Sequence, residues 1–219
     1  MVKSLLINGV LYRALFFMIN TFASALLSAS ILLTPFSGGE VLVAGQAGQM
    51  VESKITLSSS VLDLSNRYPV ESVSNGFKEN ILIALGYFGN FTLKPGEVFA
   101  FHKKRILTEF KDDKIISQES DFTTNTGYKV VAGLGGNGVC HLASLINMTA
   151  INAGLEVTAP TNHNFAAIPG IDKQYGVSIS TRNSPERQNL YIRNNFEFPV
   201  QFKFALNENL LALSIQALR

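Results

Sequence analysis

The feature that most restricts this chain is a glycine-rich run, Gly133-Leu134-Gly135-Gly136-Asn137-Gly138, standing just before its only cysteine, Cys140. Glycines packed this closely disfavour the interior of a helix or strand, since each loses more backbone freedom on folding than any other residue. They mark a tight turn or a close approach. The stretch after Cys140 is helical in pattern: Leu142, Leu145, Ile146, Thr149 and Ala153 share one face, and Gly154 supplies a stop. Beyond Gly154, short turn-like separators divide apolar runs, which predicts strands at 155–159, 163–167, 175–181, 190–193, 200–206 and 210–217. Upstream, Ser74 can cap a helix running to Leu85, and Lys94-Pro95-Gly96 divides two extended pieces between Phe91 and Phe101. Residues 103–122 hold clustered charge and read as solvated strands or loops. The pattern predicts an α+β fold in which the Cys-bearing helix packs on a mostly antiparallel sheet.

The other end of the chain has a different character. Lys3 and Arg13 are the only charges before Glu40, and Ala14 to Leu33 carries none. Such a stretch is long enough to cross a bilayer as a helix. Pro35, Gly38 and Gly39 then interrupt it. Residues 1–39 thus read as a signal peptide or membrane anchor, 40–65 as a connector with a first strand, and 66–219 as one domain. This predicts export, with the domain outside the cytoplasm and either anchored or secreted. Setting Lys3 and Arg13 aside, the chain holds equal numbers of basic and acidic residues, so it lacks the electrostatic footprint of a nucleic-acid binder. A composition 47% hydrophobic and 16% charged excludes a disordered chain. One cysteine excludes an internal disulfide.

Two chemistries fit the glycine run. Gly133, Gly135 and Gly138 satisfy G-x-G-x-x-G, the signature of a dinucleotide-binding turn, but no helix is expected after Gly154 to continue such a fold. The second reading starts at Cys140. A thiol in the first turn of a helix faces unpaired N–H groups and the positive end of the macrodipole, which favour thiolate. His163 and then Asp172 come later in the chain, and the three can meet at one sheet edge. Cys140 would be nucleophile, His163 general base and acid, and Asp172 the carboxylate that fixes the imidazole tautomer. Gly135, Gly136, Asn137, Gly138 and His141 would form the substrate loop, their N–H groups holding a developing oxyanion. By fold-level analogy this order resembles transglutaminase and papain-like thiol enzymes, and describes a cysteine acyl-transferase or amide hydrolase. The opposing reading is a packed cysteine beside a structural turn, in a non-catalytic binding or scaffold module. Adjacent Cys140 and His141 make a poor chelating pair, so no metal is expected, and no cofactor. The sequon at Asn147 falls inside the helix, and that at Asn90 is discounted with it.

Several ordered stretches also carry a family resemblance. They are Asn80-Ile81 with Ala84, Pro95-Gly96-Glu97-Val98-Phe99-Ala100-Phe101, and Gly127-Tyr128 followed by the glycine run and Gly138-Val139-Cys140. Ala153-Gly154-Leu155-Glu156, His163, Pro169-Gly170-Ile171-Asp172 and Tyr191 to Pro199 complete the series. From about Asn66 to Ile215 the chain resembles the VanW-like family, named from a protein of glycopeptide (vancomycin) resistance clusters. Asn137 interrupts the family's triple glycine, His141 stands where Gln is usual, and Asn164 stands where Ser is common. The resemblance implies a bacterial cell-envelope protein whose partners are a cell-wall peptide or peptidoglycan, with the membrane contacted through the N-terminal helix.

Overall fold

The computed structural model describes residues 54–118 and 120–219. The segment read as a signal peptide or anchor, and the connector up to residue 53, lie outside these residues. No helix among the described residues is long and apolar enough to cross a membrane.

The last two strands show most simply how the sequence builds the sheet. In β10 (Leu210–Leu218), Leu211, Leu213, Ile215 and Ala217 are buried while the residues between them keep surface, the two-residue period of a strand with one face on a core. A tight turn at Glu208-Asn209 folds it back on β9 (Val200–Asn207), Leu210 opposite Asn207. β1 (Lys54–Asp63) pairs antiparallel on the other side of β10, and β2 (Phe91–Leu93) on the far side of β9. A second sheet runs β4 (Ile115–Ser117), β3 (Val98–Ala100), β8 (Tyr191–Arg193) and β7 (Glu156–Thr158), with β3 and β4 its one parallel pair. Phe91 joins the two sheets: its ring stacks on Phe202 of β9 at 4.5 Å and on Phe99 of β3 at 4.6 Å. A hairpin of β5 (Val130–Val131) and β6 (Leu134–Gly135) stands apart. The fold is α+β with mostly antiparallel sheets, as the sequence predicts.

The two helices carry the site. In α1 (Glu71–Phe88), Ser74, Phe77, Asn80, Ile81 and Ala84 are buried at helical spacing. It starts earlier than the sequence predicts. Ser74 lies inside it, and instead of capping it accepts the N–H of Arg67 on its Oγ at 2.8 Å. In α2 (Val139–Asn152), Leu142, Leu145, Ile146 and Thr149 face the core on the expected stripe. α2 packs against β1, β10, β7 and α1.

Two predicted strands do not form. Residues 163–167 and 175–181 belong to no ladder, and only an isolated bridge, Asn162 to Val177, marks their meeting. The first curls on itself, and the second is held by side chains of α2. After α2 the described chain continues through strands and short 3-10 turns, without the further α-helix that a dinucleotide fold needs.

Candidate functional site

The glycine run divides into two devices. Ala132 and Gly133, both at positive φ, turn the β5–β6 hairpin, so Gly133 to Gly135 belong to that hairpin. Gly136 and Gly138 steer the chain into α2. At Gly138, φ is 110°, and a Cβ there would stand 2.6 Å from the Phe77 carbonyl oxygen. Only glycine lets α1 and the start of α2 come this close. Asn80 of α1, fully buried, fixes the loop: its Nδ2 donates to the carbonyls of Lys129 (3.1 Å) and Asn137 (2.9 Å), and its Oδ1 accepts the Lys129 N–H (2.8 Å). Asn137 in turn donates its amide to the Val131 carbonyl at 2.7 Å. The residue that interrupts the triple glycine is therefore a hydrogen-bonded corner.

Along α2, three polar side chains one turn apart grip the extended segment 175–179. Asn147 donates to the Tyr175 carbonyl (2.9 Å), and Ser144 accepts the Val177 N–H (2.8 Å). Cys140 accepts the Ile179 N–H (3.4 Å) and donates its S–H to the Ile179 carbonyl (3.7 Å). Three to four residues of helix rise about 4.5–6 Å and two residues of strand about 6.6 Å, so the two spacings nearly keep step. Ser178 and Ser180 send their N–H groups the other way, to the carbonyls of Thr161 and Gln188. These partners explain why 175–181 is extended without being a strand: its amides are satisfied before another strand could claim them.

Cys140 and His163 line one cavity of about 740 Å³. Gly135, Gly136, Asn137 and His141 line it too, and Gly138 does not, so most of the residues predicted for the site meet there. Asp172 does not line it. It is exposed, lines a smaller cavity of about 240 Å³ with His163, and precedes the 3-10 turn Lys173–Tyr175. The place on the imidazole that the sequence gives to Asp172 is held by backbone: His163 Nδ1 lies 3.0 Å from the Ala166 carbonyl oxygen. A carbonyl can only accept, so Nδ1 carries the proton and Nε2 keeps a lone pair, with no hydrogen bond to a described residue. The same contact curls 163–167 out of strand geometry.

The electrostatics of the thiol differ from the sequence expectation. Burial pushes Cys140 up to about 11, outweighing the Ile179 N–H that favours thiolate. The sulfur packs against the apolar core, and desolvation there exceeds what a helix terminus returns. At rest the group is a thiol. His141, whose ring stands 6.3 Å from that of His163 and 5.3 Å from that of Phe77, is pushed down to about 3, first by burial and then by Arg67 and His163. His163 is lowered as well, chiefly by burial. Both imidazoles are neutral near pH 7, which suits a base and not an ion-pair partner.

The predicted oxyanion loop is partly spent. The N–H groups of Gly136, Val139 and His141 donate to the carbonyls of Lys129, Gly136 and Gly138. Those of Asn137 and Gly138 make no hydrogen bond to a described residue and remain as donors, while that of Cys140 faces its own sulfur. Among the described residues no cluster of three or more His, Cys, Asp or Glu could hold a metal ion. Sequence reasoning overlooked Arg67, buried in the cavity wall, and the polar stripe Cys140, Ser144, Asn147. The stripe was there to find at helical spacing; Arg67 lies in an irregular stretch with no periodic signal.

A family model described as VanW like protein matches residues 77–216, a span that contains the glycine loop, both helices from Phe77 onward, and the cavity residues from there to Gln188. No curated protein and no solved structure gives a significant match.

Proposed function

Because the chain belongs to the VanW-like family, we propose that it is an exported cell-envelope protein whose Cys140 cavity binds and cleaves or transfers peptidoglycan-type amide bonds. The observation that carries the reading is that Cys140 and His163, far apart in the chain, line one cavity while His163 keeps Nε2 free. In the reaction, Sγ bonds to the scissile carbonyl carbon as the thiol proton passes to Nε2. The N–H of Asn137, which lines the cavity, is offered to the oxyanion. Collapse breaks the C–N bond, Nε2 returns the proton to the leaving amine, and a thioester forms on Cys140. Water, or a second amine in transfer, then releases the acyl group. Ala166 takes the orienting part, and the likeness to papain-like and transglutaminase enzymes is one of roles. Export is supported by the uncharged stretch from Ala14 to Leu33, and the connection to glycopeptide resistance by the family's name.

One observation favours a second reading, a non-catalytic wall-binding or scaffold module. The thiol is held neutral and bonded to both backbone groups of Ile179, as a structural side chain would be. Incubating the full chain with purified muropeptides and following them by mass spectrometry separates the two. The enzyme reading expects new amide-cleavage or transfer products, abolished in Cys140→Ala and reduced about 10²-fold or more in His163→Ala. Muropeptide binding without any product would leave the module.

A further inference from the structure

We infer that the ligand of this cavity carries a free carboxylate and that Arg67 holds it, an inference that rests on the cavity being the site of the proposed function. Arg67 is 4% exposed and lines the cavity. Its Nη1 donates to the Pro169 carbonyl at 3.0 Å, and its Nε is buried without a partner. Nη2 makes no hydrogen bond to a described residue, and no carboxylate among the described residues lies within ion-pair distance of the guanidinium. Asp63, the acid whose charge acts on it, is exposed and accepts the Ser65 N–H instead. Nη2, on the same guanidinium edge as the buried Nε, is the donor left to meet a carboxylate oxygen. A buried cation without an ion-pair partner is costly, and an anion in the cavity offsets that cost.

The rest of the wall agrees. Arg182 is a second cation lining the cavity, and Asp121, its one acid among the described residues, is tied to the hydroxyls of Thr123 and Thr126. Phe165 (77% exposed), Tyr68 (43%) and Leu134 (49%) give it an apolar rim. A carboxylate beside an apolar body fits, the chemistry of the last residue of a peptide.

Binding of N-acetyl-alanyl-alanine, as each stereoisomer, is compared with that of its C-terminal amide by titration calorimetry on the full chain carrying Cys140→Ala. At least one stereoisomer of the acid is expected to bind about tenfold or more tighter than its amide. Adding Arg67→Met is expected to erase that preference without lowering the thermal midpoint, since an unpaired buried charge is removed. Should that variant not fold, Arg67→Lys is expected to cut the acid-to-amide ratio about threefold or more, because the ammonium lacks the directed Nη2 donor of the guanidinium. Equal affinity for acid and amide, no binding of either, or a preference that survives these substitutions overturns the inference. Cys140→Ala removes the chemistry, so failure of catalysis and failure of carboxylate recognition are read separately.

Discussion

At the scale of single residues, the site is governed by desolvation. Cys140 heads a helix, yet burial among core side chains lifts its thiol to about 11. Near pH 8 the thiolate fraction, and with it the rate of iodoacetamide labelling, is then about a hundredfold below that of an unperturbed thiol. Labelling of the full chain is expected to be slow at pH 8 and to rise to the free-thiol rate in denaturant; fast native labelling at pH 7 contradicts the placement of the sulfur. His141 makes a complementary prediction. Its value falls from 6.5 to about 3 on folding, so between those limits the unfolded chain binds a proton that the native one refuses. The stability this group contributes is complete above pH 6.5 and is lost as pH falls toward 3, by up to roughly 1.4 kcal/mol per pH unit. His102 and His163 are lowered too and act in the same direction. Urea midpoints at pH 7 and pH 5 are expected to differ less in His141→Gln than in the parent; an unchanged difference would show that His141 is not buried in its neutral form.

At the scale of elements, the stripe on α2 does work that a strand ladder usually does. Ser144 is its centre, accepting the Val177 N–H and donating to the Cys140 carbonyl at 2.7 Å. Ser144→Ala leaves a buried N–H without an acceptor and is expected to cost about 1–3 kcal/mol, with faster hydrogen exchange at Val177 and Ile179. Exchange unaltered at both amides would mean that the stripe does not hold the segment. This arrangement also marks how far the sequence could be read. β9, β10 and α2 were legible because a one-faced period of two, or of about 3.6, comes directly from burial. The strand-like pattern of 175–181 was equally clear, but pattern reports extension, and the partner of each amide lies on a helix distant in sequence. Ser74 misled for a related reason: its hydroxyl suits an N-cap, and the competing N–H of Arg67 comes from chain before the helix.

At the scale of the whole domain, the fold gathers the start of α2, the glycine loop, Arg67 and the segments around His163 and Ile179 about one cavity. Asn80 and the φ of 110° at Gly138 set that geometry, and neither touches the thiol. The sequence grouped Cys140, His163 and the loop, most of which line one cavity, because a cysteine at a helix start, a later histidine and a glycine turn are recognisable types. It could not reveal that a backbone carbonyl at Ala166 would take the orienting place beside His163, since every residue has one. The central claim is that Cys140 and His163 act as a couple. Mixing the full chain with the p-nitrophenyl ester of N-acetyl-alanine, quenching, and weighing the intact protein tests it most directly. One acyl group is expected on Cys140, formed at least about 10²-fold faster than in His163→Ala; no adduct, or one that forms as fast without His163, contradicts the account.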